Sequence, residues 1–181
     1  MFVAGRSCPC CYHRRILSLI QIIQLMNPDH YCTREQALRL AELRFKQPDK
    51  FSKGDVVSIP VGFDREGKTT YSLAQAIWTE DKEDYEIKVF SAAELIDILP
   101  NTIEAPSWEE GNHKGDIKTV TLFISKDAWE EGNTGWMVMY NQFLGHRELY
   151  SVAKEFTNIS LAQAAADMLI WLIDKRYYIP K

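Results

Sequence analysis

The residues with the strongest chemical signal lie between positions 62 and 69. The segment Gly62-Phe-Asp-Arg-Glu-Gly-Lys-Thr69 matches the pattern of a phosphate-binding P-loop. In such a loop, backbone amides near Gly62 and Gly67 would bind phosphates, Lys68 would contact the outer phosphates and Thr69 would hold a magnesium ion. An apolar segment precedes the pattern, as in nucleotide-binding proteins. A nucleotide site is therefore one hypothesis for this segment.

Three features favour a tight turn over a nucleotide site at this position. Asp64 and Glu66 would place carboxylates within a loop that has to wrap a polyanion. The helix whose N-terminus should hold the phosphates is predicted to begin only at Ser72. No clear apolar strand ending in Asp, the second magnesium ligand, follows downstream. We therefore expect a hairpin turn at 64–67 and no bound cofactor.

Other reactive side chains lack the spacing of a catalytic or metal site. Four candidate ligands crowd into positions 8–13, too close together for a tetrahedral zinc site. Four more lie at 109–116 beside glycines, where no helix face would gather them. His146 has no identifiable nucleophile partner, and His30 and Cys32 should point apart on an extended segment. The ligand sets are Cys8, Cys10, Cys11 and His13, and Glu109, Glu110, His113 and Asp116.

Two tryptophans are candidate contact residues. Trp108 and Trp129 stand among polar and acidic neighbours in segments predicted to be loops. An aromatic side chain in a loop either covers the core or anchors a partner. Both interpretations stay open, and we treat the two residues as candidate partner anchors.

The composition is that of a globular chain with an acidic body. The 181 residues are 46% hydrophobic and carry a formal net charge of −4. Residues 1–26 contain three arginines and no acid, so the other 155 residues sum to −7. Such a body argues against extended contact with nucleic acid, although it is compatible with a local basic site. The clustering of all four cysteines before position 33 favours a reducing, cytoplasmic compartment.

The first 26 residues differ in character from the rest. Their apolar run at 16–26 is 11 residues long, whereas a membrane span needs about 20. A short amphipathic helix is one explanation, and a start of translation at Met26 is the other, which we favour. Residues 1–26 are then an extension outside the fold, and no membrane contact is expected.

Four helix starts share one signature, a Ser or Thr followed three positions later by Gln or Glu. The pairs are Thr33 with Gln36, Ser72 with Gln75, Ser91 with Glu94, and Ser160 with Gln163. The last helix is the most clearly predicted. Apolar residues recur at helical spacing from Leu161 to Leu172 and form one face, and further apolar residues beside them widen this face. We expect this helix to lie at the centre of the core. Strands are predicted at 56–61, 68–71, 87–90, 117–124, 136–142 and 146–156.

These elements predict an α+β protein with short antiparallel sheets packed against helices. The pentapeptide Ser-Leu-Ala-Gln-Ala occurs at both 72–76 and 160–164. Either the chain contains two similar strand-then-helix halves, or one favourable helix start was used twice. The predicted halves are 27–90 and 91–181, and they either share one core or form two.

Four segments carry a resemblance to a group of proteins. They are Tyr31-Cys-Thr-Arg-Glu-Gln-Ala-Leu-Arg-Leu-Ala-Glu-Leu-Arg-Phe45, Ser72-Leu-Ala-Gln-Ala followed by Trp78, Ala93-Glu-Leu-Ile-Asp-Ile-Leu-Pro100, and Met168-Leu-Ile-Trp-Leu-Ile173. Together they resemble small uncharacterised proteins encoded by phages and mobile elements of gut bacteria. The resemblance covers the chain from about residue 30 and implies a start near Met26. It implies no activity, cofactor or catalytic residue. The acidic Trp78-Thr-Glu-Asp81 departs from the more basic helix surface of the group.

The sequence therefore indicates a phage or mobile-element accessory protein that binds a host or phage protein without catalysis. One alternative is a P-loop-like nucleotide-binding enzyme, which the glycine and lysine spacing favours. The other is a sponge that binds a phosphorylated small ligand without turning it over. The loop tryptophans favour the binding module. The sponge and the enzyme would share the same ligand site, and the absence of a complete set of catalytic residues distinguishes the sponge from the enzyme.

Overall fold

The computed structural model describes residues 27–76, 80–81, 86–106, 117–128, 134–142 and 151–180. Helices and antiparallel sheets both occur in these segments, so the predicted α+β class is confirmed. The chain divides into two compact units. Unit 1 is built mainly from Gln47–Lys88, and unit 2 from Pro28–Lys46 together with Val89–Lys181. The first helix thus belongs to unit 2, whereas the predicted division at residue 90 placed it in the first half.

Unit 1 is an all-β unit in its described part. Its strands are β1 (Lys50–Phe51), β2 (Val56–Phe63), β3 (Thr69–Gln75), β4 (Glu80–Asp81) and β5 (Ile87–Lys88). Strands β3, β2 and β5 form an antiparallel sheet in that order, and β1 pairs with β4. Large and small apolar side chains fill the interior between these strands, which stabilises the unit. This core consists of Phe51, Val57, Ile59, Ala74 and Ala76.

The predicted helix from Ser72 is wrong, because this segment is the second part of strand β3. Ser72 lies opposite Ile59 of β2, and Ala74 lies opposite Val57. The pairing buries Ala74 completely. Gln75 does not cap a helix; its side chain donates a hydrogen bond to the Gly54 carbonyl, 3.3 Å away. Pairing with a neighbouring strand therefore overrides the local helix signal.

Unit 2 packs three helices with a four-stranded sheet. The helices are α1 (Arg34–Glu42), α2 (Ala92–Ile98) and α3 (Leu161–Asp174), preceded by a 3₁₀ turn at Pro28–His30. The strands are β6 (Thr102–Pro106), β7 (Ile117–Ala128), β8 (Thr134–Gln142) and β9 (Ser151–Asn158). They form an antiparallel meander in chain order. Strand β6 was not among the strands predicted from the sequence.

The helix starts of unit 2 follow the predicted capping. The Thr33 hydroxyl accepts from the Gln36 amide at 3.1 Å, and the Gln36 side chain accepts from the Thr33 amide at 3.0 Å. Ser91 and Glu94 form the same reciprocal box at α2. At α3, the Ser160 hydroxyl accepts from the backbone amide of Gln163. Three of the four predicted helix starts are therefore confirmed.

Helix α3 lies at the centre of unit 2, as its sequence predicts. It contacts α1, α2, β8, β9 and the 3₁₀ turn, and Met168, Leu169 and Leu172 are fully buried. One face of the sheet supplies matching apolar residues. They are Ile103, Val120, Val138 and Tyr140, which share this face by register and are all buried. The Tyr140 hydroxyl donates to the Pro100 carbonyl, so this buried polar group is satisfied.

Helices α1 and α3 end in the same way. Beyond α1, the Phe45 amide donates to the Leu40 carbonyl at 2.9 Å, and Arg44 is left-handed with φ 65°. Beyond α3, the Tyr177 amide donates to the Leu172 carbonyl at 2.8 Å, and Arg176 is left-handed with φ 62°. Both ends are Schellman motifs, in which glycine usually occupies the left-handed position. A residue with a Cβ in this conformation costs about 1 kcal/mol.

Truncation of Leu169 to Ala should destabilise the protein by about 2–5 kcal/mol, because a large buried aliphatic side chain would leave a cavity. Chemical denaturation measures the free energy of unfolding. The matched control is Ile179→Ala, since Ile179 is 77% exposed and should cost less than about 0.5 kcal/mol. A cost below about 1 kcal/mol for Leu169→Ala would place α3 at the periphery. A midpoint that rises with protein concentration would instead indicate burial in a dimer.

Candidate functional site

The P-loop-like segment forms the turn of the β2–β3 hairpin. The Asp64 carboxylate accepts hydrogen bonds from the backbone amides of Glu66, at 2.9 Å, and Lys68, at 2.8 Å. The Asp64 amide donates to the Lys68 carbonyl at 2.9 Å, and the Gly67 amide donates to the Asp64 carbonyl at 3.1 Å. Gly67 has φ 80°, a left-handed conformation that glycine adopts without steric cost. The expected hairpin turn is confirmed.

This hydrogen bonding leaves the loop unsuited to phosphate. In a P-loop the backbone amides point at the ligand, whereas here those of Glu66 and Lys68 point at a carboxylate of the same turn. Thr69 begins strand β3, so the loop does not lead directly into a helix whose N-terminus could hold phosphate. Gly62 lies within β2 opposite Thr70. The geometry therefore gives the nucleotide alternative no support.

An apolar surface on the same hairpin was not predicted. Phe63 lies opposite Thr69 and Pro60 opposite Tyr71, so their side chains share the face directed away from the core residues of β2 and β3. The register shifts between Pro60 and Gly62, which marks Val61 as a bulge. Phe63 is 76% exposed, Tyr71 42% and Val61 36%. We call Pro60, Val61, Phe63 and Tyr71 the hairpin patch. Its sequence signal is the segment Ile59-Pro-Val61 followed by Phe63, in which apolar residues follow one another instead of alternating with polar ones.

Cys32 is not available as a nucleophile. It is 2% exposed, and its Sγ accepts a hydrogen bond from the Phe90 amide at 3.3 Å. Burial raises the pKa of the Cys32 thiol to about 11, so the reactive thiolate is disfavoured near neutral pH. His30 is exposed in the 3₁₀ turn. The structure thus places the two side chains in different environments, although the segment is not extended at His30, which ends the 3₁₀ turn.

An ion pair in unit 1 connects the start of β2 to β5. Lys88 Nζ lies 2.7 Å from Asp55 Oδ1, and each side chain is 15% exposed. The second Asp55 oxygen accepts from the Ser52 amide at 2.8 Å. The side chain of Gln47 accepts from the Lys88 amide and donates to the Lys88 carbonyl, at 3.0 and 3.3 Å. These bonds fix β5, and they engage both charged groups in structural contacts.

One carboxylate in unit 2 has an altered proton affinity. Gln36 Nε2 donates to Asp167 Oδ1 at 2.6 Å and to the Gln163 carbonyl at 3.1 Å. Burial raises the pKa of Asp167, and the bond from Gln36 only partly opposes this effect. The same Gln36 caps α1 through its oxygen. Asp167 therefore serves the contact between α1 and α3.

Several predicted candidates lie outside the residues that the structure describes. They are Trp108, Trp129, His146, the cysteine and histidine set at 8–13, and the acidic set at 109–116. Within the described segments, no group of three or more His, Cys, Asp or Glu residues could hold a metal ion. No helix in the described part of the chain is long and apolar enough to span a bilayer.

The chain matches none of the protein-family models, curated proteins or solved structures with which it was compared.

We expect no tight binding of ATP or GTP, because the turn amides already donate to Asp64. Calorimetry in the presence of magnesium measures this, with Lys68→Ala as the matched variant. The intact protein and the variant should behave alike. Low-micromolar affinity that disappears in Lys68→Ala would establish the P-loop interpretation.

Replacement of Asp167 by Asn should raise the free energy of unfolding near pH 7. The folded-state pKa of Asp167 is raised, so the folded protein binds this proton more tightly than the unfolded chain does. Its contribution to stability is therefore full below the ordinary pKa of an aspartate and is lost as the pH rises through the folded pKa. Asn mimics the neutral carboxyl and keeps an acceptor for Gln36. Chemical denaturation between pH 4 and 7 measures the free energy of unfolding of both proteins. The advantage of Asp167→Asn over the intact protein should grow with pH. A difference that stays constant or has the opposite sign contradicts the assignment.

Proposed function

We propose that this protein is a non-catalytic binding module that docks onto another protein through the hairpin patch. The observation that carries the proposal is the exposure of Phe63, 76% of whose surface is open to solvent on an ordered hairpin. Isolated exposed apolar residues are common in soluble proteins. Here three of them, Val61, Phe63 and Tyr71, lie with the half-buried Pro60 towards the end of one hairpin, which is the arrangement of an interaction anchor.

The turn chemistry supports this role. Four hydrogen bonds within Asp64–Lys68 fix the conformation of the tip, and seven residue pairs hold β2 against β3. A rigid anchor loses little conformational entropy when it binds, so more of the burial energy of Phe63 and Tyr71 contributes to affinity. Aromatic residues are also enriched among the residues that dominate binding energy.

The proposed setting follows from the sequence resemblance. We therefore place this protein inside the bacterial cell as an accessory factor of a phage or mobile element. The proposal assigns it no chemical step. In the described residues, the buried thiol of Cys32 and the paired charges of Asp55 and Lys88 serve structural contacts.

Photo-crosslinking in cells that naturally contain the protein tests the proposal. A benzophenone amino acid replaces Phe63 in one variant and Ile117 in a matched control, since Ile117 is 65% exposed but lies in unit 2. We expect one discrete protein adduct from position 63 that Tyr71→Ala in the same chain greatly reduces. Position 117 should give no such adduct.

Two results would contradict the proposal. One is the same adduct pattern from both positions, which would indicate random collisions. The other is the absence of any adduct at 63 while the protein remains folded.

Phe63→Ala should change the free energy of unfolding by less than about 0.5 kcal/mol, because the side chain is exposed.

A further inference from the structure

Helices α1 and α3 run in the same direction, and their C-terminal ends lie side by side. Gln36, in the first turn of α1, contacts Asp167 in the middle of α3. Arg39, in the last turn of α1, forms an ion pair with Asp174, the last residue of α3, at 3.2 Å. Both helices therefore present their ends at the same edge of unit 2.

Both ends carry arginine at a position that favours glycine. Arg44 and Arg176 are the only left-handed residues other than glycine in the described chain. Glycine would adopt this conformation without strain, and the cost of retaining a side chain there indicates that the side chain is used. One cation near a helix C-terminus also interacts favourably with the helix dipole. That interaction accounts for one positive charge at each helix end, but each end carries two.

Four exposed cations meet at this edge, and we call them the basic edge: Arg44, Lys46, Lys175 and Arg176. None of the four forms an ion pair with another described residue. Arg39 differs, since Glu42 and Asp174 neutralise it. The whole chain carries a net charge of −4, so the rest of it must carry −8 once these four are set aside. The four cations of the basic edge are therefore a local positive cluster on a chain that is acidic as a whole.

We propose that the basic edge binds the phosphate backbone of nucleic acid. Neighbouring helices are separated by about 8–10 Å, and the four cations follow the adjacent ends of α1 and α3 by one to four residues. A duplex offers one negative charge per roughly 1.7 Å of axis, which lets all four find phosphates at once. An extended peptide offers one charge per roughly 3.3 Å only where every residue is acidic, whereas a duplex is charged at every step. The planar guanidinium groups of Arg44 and Arg176 also suit phosphate oxygens.

The contact is local, because the acidic remainder of the chain repels a long polyanion. At most four phosphates are neutralised, so the logarithm of the binding constant should fall with the logarithm of salt concentration with a slope no steeper than about −3.6. Dissociation constants near the non-specific range of about 10⁻⁴–10⁻⁶ M are expected at moderate salt. This surface belongs to unit 2, whereas the hairpin patch belongs to unit 1.

Fluorescence anisotropy with a labelled 20-base-pair DNA duplex tests the proposal on the full chain, in about 50 and 200 mM salt. The key variant is Arg44→Gly with Arg176→Gly. Glycine suits both Schellman positions, so the thermal midpoint should stay equal or rise while duplex affinity falls at least about tenfold. The matched control is Lys53→Gln with Arg65→Gln, which removes two exposed positive charges from unit 1. Its affinity should stay within about twofold of the intact protein.

Restoring the charge identifies the interaction further. Arg44→Lys with Arg176→Lys should retain most of the affinity. The proposal is overturned if the duplex does not bind, or if the glycine and control variants lose affinity equally. It is also overturned if a polyglutamate peptide displaces the labelled duplex at a lower concentration than unlabelled duplex does. The partner would then be an acidic protein segment.

Discussion

An apolar helix with almost no polar face has to be covered on several sides, and α3 imposes this requirement on unit 2. Seven of its fourteen residues are buried, and four of those are alanines whose small side chains let other elements approach closely. Helices α1 and α2 and strands β8 and β9 each cover part of it. Helix α1 is distant in sequence from the sheet, yet it belongs to unit 2 because α3 needs that cover. The surfaces left for partners are therefore those that α3 does not use.

Sequence patterns predicted the elements of unit 2 better than those of unit 1, and one pentapeptide shows why. At 160–164, Ser-Leu-Ala-Gln-Ala begins a helix. At 72–76 the same residues form the end of strand β3 and the residue that follows it. The second copy continues into Ala165 and Ala166, which favour helix. The first copy follows Thr69, Thr70 and Tyr71, which favour strand, and β2 supplies hydrogen-bonding partners for it. Five residues carry too little local preference to resist such pairing, so a matched capping pair alone cannot identify a helix.

The candidate site was predictable only in part, because a residue pattern does not specify where backbone amides point. The acidic residues of the glycine-lysine segment correctly indicated a turn, and the structure shows Asp64 binding the turn's own amides. The hairpin patch depends on the register of β2 and β3 and on the bulge at Val61, neither of which follows from composition. The basic edge depends on the parallel course of α1 and α3, whose residues are more than 100 positions apart in the chain.

Unit 1 is inserted into unit 2, and the two ends of the insertion lie close together. Gln47 bonds the backbone of Lys88 within unit 1, and the rings of Phe45 and Phe90 pack 5.1 Å apart within unit 2. Before unit 1 folds, bringing Phe45 to Phe90 closes a loop of about 40 residues; afterwards the loop is short, which saves about 2 kcal/mol of chain entropy. Folding of the inserted unit thus lowers the entropic cost of docking α1 onto α3. The same closeness of the ends makes unit 1 a segment that could be exchanged for another without moving the helices on either side of it.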